Sequence, residues 1–191
     1  MAPIVRTLSP AALACLALAL PAALPASASA AAPCPDAGLM PVATNMAQVK
    51  TATLCLLNVE RTSRGRAPLT SDGQLGKAAQ AYSAKMVRLR FFDHVCPQGT
   101  TPTSRVRGGT SYLRGHARNW SLGENIAWGS GQLATPEAIV RSWMHSAGHR
   151  RNILDRGFRN IGIGIASGAP DDVQGQPAAT YTTDFGFRGL R

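Results

Sequence analysis

Glu124, in the run Gly123-Glu124-Asn125-Ile126-Ala127, is the carboxylate of this chain best placed to do chemistry. If the segment is extended, Leu122, Glu124, Ile126 and Trp128 share one side, because side chains alternate along a strand. A carboxylate among such neighbours is partly buried, and a buried carboxylate must be paired, protonated or metal-bound. One of the chain's seventeen arginines could be its partner. An imidazole could also fill that place: His94 follows an apolar helix end, and His149 lies just beyond Trp143. Both sit where a helix meets a loop, the usual place for side chains to converge on a cleft. In such a cleft a histidine could move a proton while the carboxylate orients it.

Other motifs fail on their own terms. His145-Ser146-Ala147-Gly148-His149 has the spacing of a zinc helix, but Ser146 replaces the glutamate a metallopeptidase uses as base. Gly162-Ile163-Gly164 lacks the third glycine of a dinucleotide loop and reads better as a closely packed strand. The sequence contains neither a Gly-x-Ser-x-Gly elbow nor a Cys-x-x-Cys pair.

The elements that must position these residues are legible in outline. Met46, Val49, Thr53, Leu56 and Val59 recur at helical steps behind Asn45, a candidate N-cap, and Gly65 ends the run. A second helix starts at Ser71 or Asp72, with an apolar stripe through Leu75, Ala78, Ala79, Tyr82, Met86 and Leu89, closed by Phe91 and Phe92. Residues 93–121 read as a long loop with a short helix near Thr103–Arg107. Leu122–Trp128 is a strand or extended arm. Thr135-Pro136-Glu137 opens a helix that Gly148 is expected to interrupt. Asn160–Ala166 and Thr180–Phe187 alternate as strands, joined by a polar loop. Helices followed by a small antiparallel sheet make one α/β domain.

Composition narrows the setting. With 45% apolar and 16% charged residues, the 191-residue chain is not wholly disordered. Residues 1–32 carry one arginine, an apolar run over Ala11–Leu20 and small-residue cleavage sites, the order of a secretory signal. A lead over residues 33–46 follows, then the domain over residues 47–191. No stable membrane insertion is expected after cleavage, and the product is expected to be a secreted monomer. Three cysteines then remain: Cys34, Cys55 and Cys96. Of three possible pairings, Cys34–Cys55 is favoured because it would tie the lead to the first helix. All three could instead be buried thiols. The net charge of +10 suggests an acidic partner, lipid or an anionic cell-wall polymer. Scattered arginines behind an export signal argue against nucleic acid.

Five blocks occur in order: Phe91-Phe92-Asp93-His94-Val95-Cys96-Pro97, Gly123-Glu124-Asn125-Ile126-Ala127, Ser142-Trp143-Met144-His145-Ser146-Ala147-Gly148-His149-Arg150-Arg151-Asn152-Ile153-Leu154, Ile161-Gly162-Ile163-Gly164 and Tyr181-Thr182-Thr183-Asp184-Phe185-Gly186. Together they resemble a bacterial secreted domain of the CAP superfamily, named for cysteine-rich secretory, antigen-five and pathogenesis-related proteins. The resemblance covers roughly Thr53–Phe187. It implies an α-β-α sandwich, with a small antiparallel sheet between helical layers. It also implies a cleft lined by a His/Glu tetrad that takes a divalent metal in parts of the family. Its members here are His94, Glu124 and His149, while the fourth position, a glutamate in animal and plant members, is Ser146. Two imidazoles and one carboxylate could still hold Zn2+ with water as the fourth ligand, more weakly for the lost charge. Cys96, where many bacterial relatives have serine, could be a soft ligand or an idle thiol.

Two functions follow as expectations. One is a non-catalytic secreted module whose cleft, with His94, Glu124, Ser146 and His149, binds a small ligand or metal. The other is an extracellular peptidase or cell-wall hydrolase. There His94 or His149 would be general base, Glu124 would orient it or hold zinc, and water would attack, with Ser146 a weaker nucleophile.

Overall fold

The computed structural model describes residues 34–115 and 119–189. The secretory signal read over residues 1–32 lies outside the described residues. Helix α1 spans Met46–Thr62 and helix α2 spans Gly73–Leu89, along the two apolar stripes. Asp72 caps α2: its Oδ1 accepts from the backbone N–H groups of Gln74 and Leu75 at 2.8 and 3.1 Å. Asn45 precedes α1 but does not cap it, because its side chain is used by the lead, accepting from Val42 N and donating to Met40 O, both at 2.9 Å. The buried stripe of α2 ends at Met86: Leu89 is exposed, and Phe92 does not close the stripe but stands exposed beyond the helix end.

Strand β1 is the two-residue segment Thr70–Ser71 between the first two helices. Helix α3, Pro102–Gly109, opens on a reciprocal cap between Thr101 and Ser104. Strand β2 covers Trp120–Ser130, followed by a 3-10 turn and helix α4, Pro136–His145, capped by Thr135. Helix α5 is Ala147–Leu154, and strands β3 and β4 are Asn160–Ser167 and Ala178–Arg188. The break between α4 and α5 falls at Ser146, extended at φ −94° and ψ 122°, rather than at Gly148. Gly148 sits in the first turn of α5, where backbone N–H groups have no intrahelical acceptor and a weak helix former is tolerated.

The sheet order is β1-β3-β4-β2. Its three long strands are antiparallel, and β1 adds a short parallel edge. Register sorts the side chains onto two faces. Ile161, Ile163, Ile165, Tyr181 and Phe185 meet Val49 and Leu57 of α1, Ile139, Val140 and Trp143 of α4 and Ile153 of α5 in the main core. The opposite face carries Gly162, Gly164, Thr182 and Asp184, and α2 presses against it. A Cβ on Gly162 would lie 2.0 Å from the Leu75 carbonyl carbon, and one on Gly164 would lie 2.2 Å from that of Ala79. Only glycine admits that approach. The result is an α-β-α sandwich, with α2 and α3 on one side and α1, α4 and α5 on the other.

Two ties hold the outer helices. Cys34 and Cys55 form a disulfide, fixing the lead to α1. Closing a loop of that length stabilises by about 3 kcal/mol. Arg61, fully buried, donates to the carbonyls of Ala67, Ile153 and Asp155 at 2.8, 2.6 and 3.0 Å, clamping the C-terminal end of α5 to α1.

Candidate functional site

Glu124 lies on β2, on the face toward α2 and α3, directly opposite Asp184 of β4. Its side chain is 2% exposed. Both carboxylate oxygens are engaged: His94 Nδ1 donates to Oε1 at 2.8 Å and Arg105 Nη2 donates to Oε2. The sequence offered an arginine or an imidazole as partner, and the fold supplies both. The reciprocal cap that starts α3 aims Arg105. Its guanidinium carbon stands 3.3 Å above the Tyr82 ring, and Nη1 donates to the His94 and Thr100 carbonyls at 2.9 and 3.0 Å. Tyr82 in turn donates to Asp93 O at 2.5 Å, and burial pushes its phenol up to about 12. One arginine thus holds the carboxylate and the loop that delivers His94.

His94 is the exposed member, with 47% of its side chain open to solvent. Its bond to Glu124 raises its pKa above the ordinary histidine value, against a smaller opposing effect of burial. Nε2 has no protein partner among the described residues. Asp184, 3% exposed, is held well above the usual carboxylate range by burial and by the Glu124 charge, and as a neutral acid it can hydrogen-bond to Glu124. Opposed carboxyls a strand apart cannot both ionise at little cost. Asp184 and Arg105 were not singled out by sequence, although register on β4 marks Asp184 once the pairing is known.

His149 arrives from the other helical layer. Asn125 donates from Nδ2 to the His149 carbonyl at 3.1 Å. Asn152 donates to Glu124 O at 3.1 Å and to Asn125 Oδ1 at 2.9 Å. This paired-asparagine clamp fastens α5 to β2 beside Glu124. The imidazole lies near Trp143, 6.5 Å between ring centroids. Burial, and then the charge of His94, lower its pKa, so the two histidines are within electrostatic reach. The contact pair is therefore His94–Glu124, while His149 makes its contacts with Trp143 and, through its carbonyl, Asn125. Ser146 is half-buried at the α4–α5 junction and makes no side-chain cap bond.

These residues fit a zinc ion poorly as arranged. Glu124 spends its oxygens on Arg105 and His94, and among the described residues no three His, Cys, Asp or Glu side chains are gathered as a ligand set. Cys96 faces elsewhere: it is buried with Tyr82, Met86 and Ile126. Its Sγ lies 2.7 Å from Thr100 Oγ1 and accepts from Lys85 Nζ at 3.2 Å. These bonds, Thr100 foremost, bring the thiol down to about 6.

Residues 54–183 match the sequence profile of the Cysteine-rich secretory protein family, CAP. A relative from Bacillus subtilis (strain 168), the uncharacterized protein YkwD, is 40% identical over 116 residues, which are 60% of this chain and 41% of that protein. The chain thus spans well under half of that curated relative. Among solved structures, an extracellular protein containing an SCP domain from Bacillus anthracis str. Ames aligns with a TM-score of 0.56 at 25% identity, covering 78% of this chain and 45% of that one. An outer surface protein from Borrelia burgdorferi aligns with a TM-score of 0.60 at 20% identity, covering 74% and 94%. The latter likeness is one of fold.

Proposed function

Because the chain belongs to the cysteine-rich secretory protein family, we propose that it is an exported, non-catalytic binding module whose cleft takes an anionic group of a cell-envelope ligand. The extracellular relative supports export, and no helix among the described residues is long and apolar enough to cross a membrane. The observation that carries the reading is the state of Glu124. With both oxygens bonded, it is poorly placed to act as a free base or a metal ligand. What the cleft offers outward is the solvent-facing edge of His94, kept protonated to higher pH than a free imidazole. A donor of that kind recognises phosphate or carboxylate through charge-assisted hydrogen bonds. The basic surface, +10 over the chain, would draw such a ligand in.

Phosphate could come from a wall polymer or from a lipid headgroup, and two probes separate them. The imidazole resonances of the mature protein are followed by NMR during titration with a soluble poly(glycerol phosphate), and separately with phosphatidylglycerol vesicles. A saturable, salt-sensitive shift at His94 with either probe is expected, and the probe that binds names the source. His94→Ala should weaken binding by about tenfold, the worth of one charge-assisted bond. The alternative, zinc-assisted or histidine-based hydrolysis, predicts turnover of casein or peptidoglycan. Such turnover, together with unmoved His94 signals, would overturn the binding reading.

A further inference from the structure

Outside the cleft, two nucleophiles of different kinds touch. Lys85, in the last turns of α2, donates from Nζ to Cys96 Sγ at 3.2 Å. The other two cysteines of the described residues are joined to each other, so among the described residues Cys96 has no thiol to pair with. The choice of lysine is informative, since only three of the twenty lysines and arginines are lysine. An arginine could donate the same hydrogen bond, but only an amine readily attacks an oxidised sulfur. The contact also has an approach route. Lys85 and Thr100, both against Cys96, line an open cavity of about 360 Å³ between α2 and α3, with Tyr82 and Arg105 further along its wall. That space brings a peroxide up to Lys85 and Thr100, the two side chains bonded to a sulfur that is itself buried with Tyr82, Met86 and Ile126.

We propose that Lys85 and Cys96 form a covalent sulfur–nitrogen cross-link when the exported protein meets hydrogen peroxide. In the first step Sγ attacks one peroxide oxygen. An S–O bond forms, the O–O bond breaks, and the leaving hydroxide takes the thiol proton away as water, giving the sulfenic acid. Sulfenic acids are captured by a neighbouring thiol or nitrogen. Here the neighbour is Lys85. After Nζ releases its extra proton to solvent, its lone pair attacks sulfur. An S–N bond forms, the S–O bond breaks, and the hydroxyl leaves with an Nζ proton as a second water. Cysteine sulfur is oxidised by two electrons and peroxide is reduced by two. A dithiol reverses the bond, restoring amine and thiol as it closes to its own disulfide. The link ties α2 to the loop that carries His94 and removes the Lys85 charge.

The test uses the full mature chain, treated with hydrogen peroxide and then examined by intact mass and tryptic mapping. The expected product is about 2 Da lighter, two hydrogens being lost with no oxygen retained. Peptides containing Lys85 and Cys96 should be joined, and cleavage after Lys85 blocked. Alkylation of Cys96 should fall by at least about tenfold and recover with dithiol. Lys85→Arg keeps the charge and the hydrogen-bonding capacity at that position, so it is expected to fold. It should give no linked peptide and should progress instead to species about 16 or 32 Da heavier. Wild-type protein that gains oxygen at Cys96 while Lys85 stays cleavable overturns the proposal. So does a thiol that stays fully alkylatable after peroxide, or a linked product in Lys85→Arg.

Discussion

Asp184 and Phe185 are neighbours on β4 that belong to different environments. Phe185 points into the main core, stacked at 5.6 Å on Phe158 and enclosed by aliphatic side chains from three helices. Asp184 points the other way, onto a face of glycines and hydroxyls where α2 lies close and Glu124 stands opposite. The first face has the area and packing that hold a domain together. The second carries two smaller apolar clusters, one with Leu75, Val106 and Tyr112 and one with Tyr82, Met86 and Ile126. Its polar groups are bonded across elements, as Ser83 is to Gly164 O at 3.0 Å and to Thr182 at 2.8 Å. Both faces thus bury apolar side chains, the first the larger cluster, and the buried carboxyl pair Glu124–Asp184 of the candidate site falls on the second.

The division can be tested at three positions. Phe185→Ala should cost the most, about 3–5 kcal/mol of unfolding free energy, as for large-to-small changes in well-packed cores. A loss under about 1 kcal/mol by chemical denaturation would mean that the apolar face is not the main source of stability. Asp184→Asn should go the other way. The folded chain retains a proton on Asp184 that the unfolded chain releases above about pH 4. The parent therefore loses stability as pH rises from there towards the raised folded pKa, by up to about 1.4 kcal/mol per pH unit. Asparagine cannot ionise, so the variant should gain on the parent over that window. Parallel pH profiles would remove the neutral acid from the site.

His94→Gln should have the smallest effect. The folded pKa of His94 is raised by Glu124, so its stabilisation is fully present below about pH 6.5 and is lost as pH climbs through the folded value. With the imidazole half exposed, the difference between parent and variant should be about 0.5 kcal/mol in acid and vanish in alkali. A difference that grows with pH would contradict the His94–Glu124 pairing.

Much of the scaffold could be read ahead because local chemistry writes it. Thr135-Pro136-Glu137 announces α4, Asp72 caps α2, and the isoleucine–glycine alternation over Asn160–Ala166 is β3 with its small side facing a helix. Gly148 misled because a glycine within a helical pattern and one in its first turn look alike in sequence, whereas only the former breaks the helix. At the site, the residue types of His94, Glu124 and His149 drew attention, yet their partners did not. Arg105 is one of seventeen arginines, and its role depends on the Tyr82 ring beneath it and a loop carbonyl beside it. In an alternating strand Asp184 resembles a solvent-facing polar residue. Only the Glu124–Asp184 register, fixed between segments 60 residues apart, puts it indoors. Pairwise geometry across such distances is set by packing and leaves no local trace.

Strand β2 forms an outer margin of the sheet, and such margins invite recruitment by foreign strands. Here the invitation is withdrawn at its middle. Trp143 donates to the Ile126 carbonyl and Asn152 to that of Glu124, both at 3.1 Å. An incoming peptide would have to evict an indole and an amide before it could pair. The contacts that seat the carboxylate therefore also protect the molecule from ribbon-like self-assembly among crowded neighbours.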